Sequence, residues 1–182
     1  MNNSIVQLRK LLEDRLYHKD VHKLIQYSLK DEQVLKHLFQ LIKDPNVQVA
    51  YQATWVLSHW PKVEQGWLIQ QQGAFMDYLL LCTQDGQIRL LLSILNQQPL
   101  IEKDRLDVLD YCMETMLAQS RPVAIRSFCI KMIYKYCLQY PELLPEFRTA
   151  LEMISGDTAA AIQSVYKHMS KQIQGHRRQG IQ

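Results

Sequence analysis

Asp14, His18 and His22 recur at four-residue intervals, a spacing that places three side chains on one face if a single helix runs through them. One carboxylate and two imidazoles arranged in that way could hold a divalent metal. The helical pattern breaks near Lys19 and Asp20, however, and no fourth ligand is evident, so a solvated face is expected instead. Asp107, Asp110 and Glu114 form a second cluster, on the polar side of a helix expected over residues 104–118. Paired carboxylates do acid–base work only where burial raises one pKa. Lys103 and Arg105 beside them point to an ordinary solvated surface. His37 and His59 stand alone. Cys82, Cys112, Cys129 and Cys137 are spaced by 30, 17 and 8 residues and contain no Cys-x-x-Cys pair, so reduced, mostly buried thiols are expected. No Gly-x-Ser-x-Gly, Walker A, dinucleotide fingerprint or His-Glu-x-x-His occurs. The expectation is no catalytic residue, no metal and no cofactor.

What remains is aromatic and basic. The stretch VQVAYQATWVLSHW, residues 47–60, holds two of the three tryptophans. As a helix it turns Val49, Ala53, Val56, Leu57 and Trp60 to one side and Tyr51 and Trp55 to the other. A helix in a two-layer protein keeps that second side polar, so the pair is either a binding surface or a seam against another helix.

The elements around these residues are helical. The chain has 182 residues, 47% hydrophobic and 21% charged, with six glycines and six prolines. This composition suits one helical domain with a sizeable core and leaves little of the punctuation that hairpins require. A formal charge of +3 does not by itself argue for nucleic acid. MNNSIVQLRK lacks a basic head before an apolar core, and no apolar run approaches bilayer length, so no signal peptide and no membrane partner is expected. The expected localisation is cytoplasmic.

Apolar positions at helical spacing begin at Ile5, Leu8, Leu12 and Leu16, and continue through Val21, Leu24 and Ile25 into Val34, Leu35, Leu38, Phe39 and Ile42. At KDPN, Asp44 is a ready N-cap and Pro45 suits a first helical turn. TQDGQ, QSRPV and SGDT repeat this punctuation. The aliphatic anchors Val49, Ile88, Ile125 and Ile162 follow at intervals of 39, 37 and 37 residues, each opening a helix. Further helices, roughly 64–82, 104–118 and 141–154, lie between them. The unit is a helical hairpin repeated about four times, behind an atypical N-terminal pair.

DPNVQVAYQATWVL, residues 44–57, resembles the second helix of a HEAT unit: an Asp-Pro start, an aliphatic residue, a small residue four later, then Leu. DGQIRLLLSIL (85–95) and RPVAIRSFCIKMI (121–133) are weaker copies, with Arg89 and Arg126 after the anchor where the first copy has Ala50. The resemblance is to the HEAT/armadillo superfamily. It implies an all-α, right-handed α-solenoid of about four HEAT-like hairpins plus the atypical N-terminal helix pair. The domain is expected over residues 1–174, with residues 1–30 as its cap and 175–182 as a flexible tail. It also implies second helices lining a concave protein- or nucleic-acid-binding face, and it carries over no catalytic residue.

Charge in the C-terminal half follows the layers. Arg121, Arg126, Lys131 and Lys135 lie in an acid-free stretch from Thr115 to Pro141, and Lys167, Lys171, Arg177 and Arg178 in another from Thr158. The intervening helices are acidic. These are either solvated faces or a basic surface for anions. The leading expectation is a non-enzymatic scaffold that holds a protein or peptide partner, with Tyr51, Trp55 and His59 as aromatic anchors and Lys131, Lys135 and Lys171 as electrostatic contacts. The alternative is nucleic-acid binding on a basic concave face, since some HEAT-like solenoids are DNA alkylation-repair glycosylases. The expected state is a monomer or a weak homodimer that covers the aromatic pair.

Overall fold

A computed structural model describes residues 5–178, and the side chains among them up to residue 173. Every regular element among these residues is helical. The N-terminal pair is α1 (Ile5–Glu13) and α2 (His18–Lys30). Four hairpins follow: α3 (Glu32–Leu41) with α4 (Val47–Ser58), α6 (Gln72–Leu81) with α7 (Asp85–Gln97), α8 (Leu106–Leu117) with α9 (Val123–Gln139), and α10 (Leu144–Met153) with α11 (Ala160–Arg178). One extra short helix, α5 (Gly66–Gln70), precedes the second hairpin. The expected 175–182 tail therefore begins inside α11, and residues 179–182 lie outside the described residues.

Several boundaries differ from the sequence expectation. α1 stops at Glu13, so Asp14 sits in the turn and no single helix aligns it with His18 and His22. Helix α2 starts at His18, where the Tyr17 amide donates to Asp20 Oδ2 at 3.0 Å. Asn46, not Asp44, caps α4: its Oδ1 accepts from the amides of Gln48 at 2.9 Å and Val49 at 3.4 Å. Asp44 is drawn away by a two-pronged contact from Arg9 on α1, at 2.7 and 3.1 Å, which ties the terminal pair to the first hairpin. That guanidinium helps hold the Asp44 carboxyl below its ordinary range. The helix expected over 64–82 is interrupted. A 3₁₀ turn at Lys62–Glu64 and α5 precede α6, and the Trp60 indole N–H donates to Glu64 O at 2.8 Å.

Each second helix packs on the next one, α4 on α7, α7 on α9 and α9 on α11, whereas successive first helices touch sparsely. Closer spacing in the second layer makes it the inside of the curve. The four anchors Val49, Ile88, Ile125 and Ile162 are all buried in one continuous core, with Ala53, Leu92 and Cys129 behind them. Transfer of such side chains from water, at ~25 cal/mol per Å² of apolar area, is the main term favouring the stack.

Polar side chains join neighbouring repeats across that core. Gln87, 2% exposed on α7, places Nε2 2.8 Å from both Ile42 O and Thr54 Oγ1 in the preceding hairpin. Lys135 on α9 donates to the carbonyls of Leu95, Asn96 and Gln98 at 2.9, 2.8 and 2.5 Å, closing the C-terminus of α7. Burial pushes its ammonium down to about 8. Arg126 is 3% exposed; it donates to Met116 O at 3.0 Å and pairs with Asp157 at 2.7 Å.

Two outcomes test this ladder. Lys135→Met leaves three carbonyls without their donor and is expected to lower unfolding free energy by ~1–3 kcal/mol, measured by urea denaturation. Asp157, which accepts the Ala159 amide and the Arg126 guanidinium, is held below its ordinary pKa. Its contribution is therefore present above the unfolded value of about 3.9 and lost as pH falls through the lower folded value. The Tm deficit of Asp157→Asn should be clear at neutral pH and vanish in acid.

Candidate interaction surface

The inner layer is poor in acid. Among α4, α7, α9 and α11 the one carboxylate is Asp85, and it is paired with Arg121 at 3.0 Å. The cations expected on this surface divide into two groups. Arg126 and Lys135 donate to groups inside the stack, and Arg121 pairs with Asp85. Lys131 and Lys171 are exposed on α9 and α11. The Lys131 ammonium lies 5.4 Å from the Phe128 ring centre, at a groove lined also by Ser93, Gln97 and Tyr134.

Tyr51 and Trp55 are each partly buried, and His59 at the end of α4 is exposed. Their counterparts on α7, Leu90 and Ile94, are buried at 3% exposure each. The register is thus shared, while the environment differs between the two repeats. Trp55 stands among two imidazoles: its ring centre is 5.3 Å from His18 and 5.9 Å from His59, both edge-on. His59 Nδ1 lies 3.0 Å from Trp55 O, a carbonyl that can only accept. Tyr51 reaches the next repeat, where a Cβ built on Gly86 would stand 3.1 Å from its Cε2.

Between the α1–α2 turn and α4 lies a cleft of about 450 Å³, lined by Arg15, Tyr17, His18, Gln48, Gln52, Tyr51 and Trp55, with Leu16 beneath. Arg15, Tyr17, Gln48 and Gln52 carry no sequence signal of a site. They meet only because the turn at residues 14–17 folds onto α4. Gln52 is 2% exposed; its Nε2 reaches Asp14 O at 3.4 Å, and its Oε1 accepts no hydrogen bond.

The residues considered for catalysis do not assemble. Asp107, Asp110 and Glu114 are exposed. Arg105, bonded to Asp107 at 2.9 Å, holds the Asp107 carboxyl low, the opposite of what a general acid needs. Among the described residues no three His, Cys, Asp or Glu side chains are placed to hold a metal. The four cysteines are free thiols, three of them buried. Contact with Cys129 and burial push Cys112 well up, and burial takes Cys137 to about 12, so neither is a ready thiolate. No described helix is long and apolar enough to cross a membrane.

Gly86→Ala should displace the Tyr51 ring by a few tenths of an ångström and leave the fold intact. Shifted Tyr51 ring resonances, with unfolding free energy changed by less than ~1 kcal/mol, are the expected result.

Comparison with curated proteins and with solved structures gave no match. The family model of the HEAT repeat domain matches residues 8–173, from within α1 through the first three hairpins and α10 into α11. The chain belongs to the HEAT repeat domain family.

Proposed function

We propose that this HEAT repeat domain is an interaction module that holds a segment of a partner protein along its inner layer. The observation that carries the reading is the partly exposed Tyr51–Trp55 pair, set on a layer whose one carboxylate is already paired. Large aromatic surface with a polar rim is the usual makeup of a binding hot spot. His59 extends the aromatic edge, and Lys131 and Lys171 supply positive charge along the same layer. HEAT repeats generally serve as protein-binding scaffolds, which agrees with this reading. With Arg126 and Lys135 engaged inside the protein and Arg121 paired with Asp85 at the surface, the exposed cations of this layer among the described side chains are Arg89, Lys131, Lys167 and Lys171.

The test is affinity capture of the partner, followed by titration of the purified pair. Trp55→Ala should weaken binding by about 30-fold, the equivalent of a 2 kcal/mol hot spot, with helical content unchanged by circular dichroism. Lys131→Gln/Lys171→Gln should reduce the salt dependence of the association rate. A partner that binds both variants like wild type would sink the proposal, as would a gel shift with duplex DNA that survives removal of the protein partner.

A further inference from the structure

The cleft between the α1–α2 turn and α4 carries three unmet requirements within about 450 Å³. The first is a hydrogen-bond donor. Gln52 is almost wholly buried, and its Oε1 has no partner, an unfavourable state unless an N–H reaches it. The second is an anion. Arg15 is the one Lys or Arg side chain lining the cleft; it is exposed and makes no ion pair among the described residues, and no carboxylate side chain lines the cleft opposite it. The third is apolar contact, since Trp55, Tyr51 and Leu16 line the cleft.

From these we infer that the cleft docks an extended acidic peptide segment: a carboxylate side chain pairs with Arg15, a backbone N–H meets Gln52, and an adjacent apolar side chain lies on Trp55 and Tyr51. The inference rests on the proposed inner-layer partner and specifies the chemistry of that partner where it passes the N-terminal pair. One cation matches one carboxylate, whereas a phosphodiester strand presents a charge at every nucleotide and gains affinity from several cations. A peptide backbone supplies N–H donors at every residue, which suits a buried amide oxygen on the wall of a cleft. Charge complementarity extends beyond the cleft. Arg89 is exposed on α7, Lys131 on α9, and Lys167 and Lys171 on α11. The favoured partner sequence therefore pairs an apolar residue with an acid at the cleft and carries further acids beyond it.

The test uses ¹⁵N-labelled full-length protein and three probes: an acetylated, amidated hexapeptide of alternating leucine and glutamate, its leucine–glutamine counterpart, and a short oligothymidylate. The glutamate peptide should shift the Gln52 side-chain amide and the Trp55 indole signals. Arg15→Gln, at an exposed and unpaired position, should weaken that binding by about tenfold or more. The glutamine peptide should bind about tenfold more weakly than the glutamate peptide, and equally to both proteins. Glutamate-peptide shifts confined to α9 and α11 would overturn the cleft assignment while leaving an inner-layer partner intact. Absence of any peptide-induced shift, together with a captured partner indifferent to Trp55→Ala, would remove both. Oligothymidylate shifts at Gln52 that depend on Arg15 would overturn the inference in favour of a nucleotide.

Discussion

The stack depends on how buried polar groups are satisfied between repeats. Helices ending inside a protein leave carbonyls that must find donors, and a chain of similar hairpins brings this problem back at every unit. Here the donor comes from the neighbouring second helix, about one repeat away. Lys135 closes the end of α7, Gln97 Nε2 reaches Ser58 O at the end of α4 at 3.3 Å, and Gln87 reaches back between α3 and α4. Apolar burial is tolerant of sliding, because one aliphatic contact replaces another. A lysine that must sit over three carbonyls is not, and an incorrect offset leaves both partners desolvated and unpaired. Hydrophobic burial therefore supplies the adhesion, and these polar contacts fix the register.

That use of charge decides what the inner surface has to offer. Of the four basic residues between Thr115 and Pro141, three are committed to internal partners, leaving Lys131 free of ion pairs. The exposed positive charge is spread over α7, α9 and α11, as Arg89, Lys131, Lys167 and Lys171. Such a surface favours a segment with intermittent acids over a polyanion with a charge at each step.

The repeat was legible in the sequence because it is written in core residues. Val49, Ile88, Ile125 and Ile162 recur at the repeat length and are all buried, and Trp60 joins the core as its position suggested. Helical spacing reports which side of a helix is apolar, and this is enough to count hairpins. It does not report what a charged side chain reaches. Arg126 and Lys135 occupy polar positions like Lys131, and only the fold shows that their long stems carry the charge back into the protein. Helix starts were blurred for a related reason. In KDPN two residues can cap, and the pull of Arg9 on Asp44, from 35 residues earlier, leaves the role to Asn46. The cleft was invisible for want of any local pattern, since Arg15 and Gln52 belong to different helix pairs and share no spacing rule.

Tyr51 and Trp55 share a register with Leu90 and Ile94, yet the α7 pair is buried and the α4 pair is not. Helix α7 is flanked by second helices on both sides, α4 and α9. Helix α4 has such a neighbour on one side, in α7; on the other stand the short helix α1, helix α2 and the turn between them. A regular hairpin in that place would present a full second helix to the ring faces. The atypical pair presents the turn at residues 14–17 instead, and the gap between turn and helix is the cleft. The irregularity that ends the repeat is thus also what leaves the aromatic pair within reach of a partner. A cap built only for solubility places polar residues over the last core layer; this one leaves a buried amide oxygen unpaired and two aromatic rings partly uncovered beside a free arginine.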